Sequence, residues 1–164
     1  MSCTDTNNAK MIFQNSLDSI SVWCNDWQLP ISTSKSGWML ISNKHTISED
    51  TNFLLGGCAL QKLSEVKDLG VYMDNKLHFS RQITAAVSKA KQKLYLVKKC
   101  FVACSIDKLI LGFKLHVLPI LDFCSSVWSP HCAKDIVRLE SVQRGFTKSL
   151  SGYKTLPYAK RLTI

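Results

Sequence analysis

The sequence predicts an α+β chain in which a small antiparallel sheet with one helix is followed by a helical bundle. Three observations point there. Apolar residues recur at helical spacing from Phe13 and again from Ile83, short apolar runs separated by turn residues lie between them, and the charge changes sign between the two regions. Of 21 Lys plus Arg and 12 Asp plus Glu, residues 1–80 hold 6 basic and 8 acidic side chains and residues 81–164 hold 15 and 4, a net of −2 against +11. With 46% hydrophobic and 20% charged residues, the chain has enough apolar side chains to fold, which excludes a disordered basic tail.

Residues 1–12 read as a polar N-terminal segment. Phe13, Leu17, Ile20, Cys24 and Trp27 then follow steps of four and three, one face of an amphipathic helix that Leu29-Pro30 ends. Residues 38–42, Trp-Met-Leu-Ile-Ser, read as a strand running into a loop at Asn43. Phe53-Leu54-Leu55 and Cys58-Ala59-Leu60 flank Gly56-Gly57, a pair suited to the positive φ angles of a tight hairpin turn. Residues 66–73, Val-Lys-Asp-Leu-Gly-Val-Tyr-Met, read as a further strand closed by Asp74-Asn75.

Beyond Ser80, the expected N-cap, Ile83, Val87, Ala90, Leu94, Val97 and Phe101 follow steps of 4, 3, 4, 3 and 4, the clearest helix in the chain. At about 100° per residue, Lys91 and Lys98 flank one side of this stripe, Lys89 and Lys93 flank the other, and Lys99 with Arg81 lies opposite. No single basic stripe forms. A helix capped by Ser105, with Asp107 in its first turn, runs through Ile106, Leu109, Ile110, Phe113 and Val117. Leu111, Leu115 and Leu118 on its other side predict that it is centrally buried. Pro119 ends or kinks it, and Trp128-Ser129-Pro130 marks a later break. A last long helix spans about residues 134–150, with Ile136, Leu139, Val142 and Phe146 inward and Gly152 just past its end.

A surplus of +11 on a folded half favours a polyanion such as nucleic acid, through counterion release. An anionic membrane surface or simple solubilisation of a bundle would use the same charge. No apolar run approaches the ~20 residues of a membrane-spanning helix, and the first ten residues are polar, so an intracellular protein, cytoplasmic or nuclear and not secreted, is expected. The seven cysteines are odd in number and irregularly spaced, and read as reduced, mostly buried thiols. Cys100 with Cys104, and Cys124 with His131-Cys132, lack zinc-ligand spacing, so no metal site is expected. Two-metal nucleotidyl transfer needs clustered carboxylates; the only adjacent acidic pair is Glu49-Asp50, in a polar stretch. No nucleophile and base are paired by spacing, and His45, His78 and His116 have no evident partner.

Four segments in one order resemble a known family. They are Leu17-Asp-Ser-Ile-Ser-Val-Trp-Cys-Asn-Asp-Trp-Gln-Leu29; Val66-Lys-Asp-Leu-Gly-Val-Tyr-Met-Asp-Asn-Lys-Leu-His-Phe79; Val117-Leu-Pro-Ile-Leu-Asp-Phe-Cys-Ser-Ser-Val-Trp-Ser-Pro130; and Leu139-Glu-Ser-Val-Gln-Arg-Gly-Phe-Thr147. Together they resemble the reverse transcriptases of non-LTR (LINE-type, jockey-like) retrotransposons, over roughly residues 13–164.

The resemblance implies that residues 13–79 are the C-terminal part of a polymerase palm and residues 80–164 a helical thumb and connection region, truncated where the family pattern would continue. It implies RNA-directed DNA polymerase ancestry and a template–primer nucleic acid as partner, together with the missing N-terminal part of the polymerase. The family's catalytic aspartate motifs would lie upstream of Phe13 and are not in this chain; Asp5 lacks the neighbour and the hydrophobic strand they need. No catalysis is therefore expected of the chain alone, and Mg2+ is expected only for an intact family enzyme.

Lys35 matches the lysine of the palm's fourth motif, an auxiliary cation near the leaving pyrophosphate. Leu69, Gly70 and Val71 match the hairpin that grips the primer, where Gly70 permits close backbone approach or marks a bulge. Lys89, Lys91 and Lys93 fall where the thumb would touch duplex phosphates. The alternatives are a basic helical protein-interaction module and a retrotransposon relic without function.

Overall fold

The structure is a computed structural model of the 164-residue chain and describes residues 3–42, 51–101 and 104–163. It mixes helix with short strands and divides into two compact units, Met1–Val66 with Asp74–Leu77, and Lys67–Met73 with His78–Ile164. Among the described residues no helix is long and apolar enough to cross a membrane.

The N-terminal unit begins with helix α1, Cys3–Asp26. It starts well before Phe13, so the stretch read as a polar segment is helical, with Asn7 and Asn8 exposed. Gln14 ties α1 to the strand Leu54–Leu55, its Nε2–H donating to Leu54 O at 2.9 Å and its Oε1 accepting Leu54 N–H at 3.0 Å. A 3₁₀ turn, Thr33–Lys35, precedes strand β1, Gly37–Trp38. The hairpin of β2, Leu54–Leu55, and β3, Cys58–Ala59, turns at Gly56 and Gly57, with φ of 57° and 79°.

Strand β4, Gln61–Lys62, pairs with β1 in parallel, and at Gly37 a Cβ would stand 2.9 Å from Gln61 O, so only glycine permits the approach. The expected single antiparallel sheet is thus absent from the described residues. Three separate two-stranded pairs replace it, because each run is only two to four residues long. The strand expected over residues 38–42 stops at Trp38, and the loop after it lies outside the described residues. Trp38, Phe53, Leu55 and Leu60 form the buried cluster, with Phe53 edge-on to Trp38 at 4.9 Å and to Phe13 at 4.7 Å.

Strands β5, Glu65–Asp68, and β6, Val71–Asp74, form a hairpin whose tip belongs to the C-terminal unit. The expected uninterrupted strand over residues 66–73 is corrected here. Leu69 and Gly70 both take positive φ, 46° and 90°, and reverse the chain between two strands. Gly70 is therefore a turn residue, not a bulge.

Helix α2, Ser80–Cys100, follows, and its stripe Ile83, Val87, Ala90, Leu94 and Val97 is buried as its spacing predicts. Ser80 is not its cap. Phe79 takes that position in the left-handed conformation, and the Ser80 hydroxyl instead donates to Asp135 Oδ2 at 3.1 Å. Helix α3, Ile106–His116, is capped by Ser105 backbone geometry alone. It buries Phe113 but leaves Leu111 and Leu115 more than half exposed, so it lies at the surface and not at the centre.

Pro119 opens the short helix α4, Leu118–Asp122, and Cys124, at φ 54°, leads into α5, Ser125–Trp128. Trp128 is 1% exposed and donates its Nε1–H to Phe123 O at 2.7 Å. Helix α6, Ala133–Lys148, packs Val142 and Phe146 inward while Ile136 stays exposed, and α7, Tyr158–Arg161, follows beyond Gly152. The described thiols are not buried: Cys58, Cys100 and Cys132 are exposed, and Cys24, Cys104 and Cys124 are half-buried.

Candidate nucleic-acid interface

The C-terminal unit carries 16 basic and 5 acidic side chains, a net of +11, and the N-terminal unit 5 and 7, a net of −2. Where the hairpin tip meets α2, the C-terminal unit forms an open cleft of about 430 Å³. Lys67, Gly70 and Tyr72 come from the hairpin, Ala85 and Lys89 from α2, and Phe123 from the end of α4. No Asp or Glu lines it.

A hydrogen bond sets the geometry: the backbone N–H of Tyr72 donates at 3.0 Å to Oε1 of Gln82, which is buried on α2. That bond joins the β6 backbone to the first turn of α2. It places Tyr72 under the Arg81 guanidinium, 4.3 Å from the ring centroid, with the Lys67 ammonium at 5.0 Å. Val71 points the other way and is 5% exposed, in the core, as strand alternation requires.

Leu69 stands at the tip, 87% exposed, in a left-handed conformation that costs a non-glycine residue ~1–2 kcal/mol. At Gly70 a Cβ would meet the Phe123 ring at an ordinary 3.5 Å, so it is the positive φ and not crowding that asks for glycine.

The three thumb lysines do not converge. Lys89 lines the cleft; Lys91 lines a shallower hollow with Gln92 and Tyr95; Lys93 is exposed one turn beyond Lys89. Lys98, on the same helix, is partly buried, and desolvation holds its pKa below the ordinary lysine value. Lys35 ends the 3₁₀ turn of the N-terminal unit, exposed. Lys67, Tyr72, Arg81 and Phe123 were not among the residues expected from sequence. The available signal was Lys67 and Tyr72 on either side of Leu69-Gly70, once that pair is read as a turn.

Among the described residues no three His, Cys, Asp or Glu side chains cluster so as to hold a metal ion, and Glu49-Asp50 lies outside them. Comparison with protein-family models, with curated proteins and with solved structures finds no match to this chain.

Proposed function

We propose that the chain corresponds to the palm end and thumb of a reverse transcriptase of the non-LTR retrotransposon type, and that its own role is to hold a template–primer duplex by its phosphates. The observation that carries this reading is the cleft lined by Lys67, Tyr72 and Lys89 beside the Leu69-Gly70 turn, with Arg81 stacked on the Tyr72 ring. Two lining lysines, a third cation on the Tyr72 ring, no lining carboxylate and a backbone turn suit a phosphate chain. The turn is also where the sequence resemblance puts the primer-gripping hairpin. No catalytic step is assigned to the chain, and Lys35 would act only as an auxiliary cation beside an active site supplied from elsewhere.

Titration of the full chain with a labelled RNA–DNA hybrid across a salt series tests the reading. Binding near micromolar at low salt is expected, with log K falling by about 0.9 per tenfold rise in salt for each phosphate contacted. A folded sample that fails to bind at low salt overturns it. One observation favours a second reading, a protein-interaction module. Helix α1 exposes Met11, Ile12, Phe13, Ile20, Val22 and Trp23, and Trp27 just past its end, apolar surface of the kind partners cover.

A further inference from the structure

A second, partly open cavity of the C-terminal unit lies among α3, α6 and α7, with a volume of about 180 Å³. Ile110, Phe113, Leu118, Phe146 and Leu150 wall it, and the rings of Phe113 and Phe146 stack with centroids 4.3 Å apart, 5° from parallel. Arg161 lines the same space. It is 7% exposed, its Nη1–H reaches Arg144 O only at a long 3.4 Å, and its buried Nε–H has no hydrogen-bond partner.

No carboxylate among the described residues pairs with Arg161. Glu140 is engaged by Arg144 at 3.2 Å, and Arg144 also covers Tyr158, over which Arg161 lies at 5.5 Å. Lys114 is the second cation on the lining, which holds no Asp or Glu. A guanidinium stays charged at any ordinary pH, so burying one without an anion is unfavourable. A charge-assisted bond to a bound anion would remove that cost.

We infer that this cavity binds a small monocarboxylate whose apolar body is about the size of a benzene ring, with its carboxylate on Arg161. An apolar cavity of ~150 Å³ is enough to take benzene, so the volume here leaves room for little more than the carboxylate. Inorganic phosphate fits less well, because its remaining oxygens would face the Phe and Leu walls without donors. The inference is independent of the nucleic-acid reading, which rests on a different cleft.

Benzoate, its uncharged isostere benzamide and inorganic phosphate, titrated separately into the full chain, test it by ¹H–¹⁵N NMR that includes the arginine Nε–H signals. Benzoate is expected to bind with Kd of about 1 mM or tighter and to shift the Arg161 Nε–H. Benzamide should bind about tenfold more weakly, for loss of the charge-assisted bonds. Phosphate should leave the cavity resonances in place. Arg161→Met removes the preference for benzoate, and Leu162→Trp, a change at an exposed lining position, weakens both aromatic ligands and serves if the first variant does not fold. Equal binding of benzoate and benzamide, displacement of benzoate by phosphate, or an unaltered benzoate response in Leu162→Trp overturns the inference.

Discussion

The two units spend similar kinds of residue to different ends. In the C-terminal unit twelve buried hydrophobics, from Val71 to Leu150, form one cluster, and α2 contributes its whole apolar stripe to it. In the N-terminal unit the described buried cluster is four residues, and α1, with a comparable stripe by spacing, leaves Ile20 exposed and Phe13 only partly covered, with Trp27 exposed just past its end. Periodicity makes a helix amphipathic; it becomes core only where another element faces it. The charge follows the same division, with +11 on the unit that has the large core and −2 on the other. A basic surface suits phosphate, and the apolar residues that α1 leaves exposed are of the kind a partner covers.

The largest expected effect separates the cores directly. Trp128→Ala removes a side chain 1% exposed together with its bond to Phe123 O, and should cost about 3–5 kcal/mol in urea denaturation. Trp23→Ala, at 53% exposure on α1, should cost about 0.5 kcal/mol or less by the same measurement. Equal losses would erase the contrast between the units.

Next comes the link between the first turns of α2 and α6. Asp135, 4% exposed, accepts from Ser80 and stands 3.6 Å from Arg138, so Asp135→Ala should destabilise by about 1–3 kcal/mol. Relief of the hairpin tip should act in the opposite direction. Leu69→Asn puts a residue that tolerates positive φ before Gly70, and a gain of about 1 kcal/mol is expected, read as a higher midpoint in the same urea series. The smallest effect belongs to the exposed Arg144–Glu140 pair, where Glu140→Ala should change stability by about 0.5 kcal/mol or less.

How much of this was legible depends on how local the cause is. The α2 stripe and the Gly56-Gly57 turn are written in neighbouring residues, and both appear where spacing puts them. Residue pattern alone puts Leu69-Gly70 inside a strand, because leucine is not a turn former and nothing local announces its positive φ, whereas the family resemblance implies a hairpin there. For α3, apolar residues on every side suggested burial, yet Leu111 and Leu115 meet no facing element.

The cleft was half legible. Gly70 and Lys89 followed from the family resemblance, whereas Arg81 joins Tyr72 only through the bond from its neighbour Gln82 to the Tyr72 backbone. The Ser80–Asp135 bond spans 55 residues of chain, beyond any local pattern. Arg161 carried no signal in sequence, since burial without a counter-charge is a tertiary property.

The central claim is that the cleft, and not the net charge of the C-terminal unit, binds the duplex. The most direct test compares Lys67→Ala/Arg81→Ala/Lys89→Ala with Lys91→Ala/Lys93→Ala/Lys99→Ala, two folded variants of equal charge, in hybrid binding over a salt series. The account predicts that the cleft variant loses about 2–3 units of salt slope and at least about tenfold in affinity at low salt, and that the other loses distinctly less. Equal losses in the two variants would contradict it and leave only a diffuse basic surface.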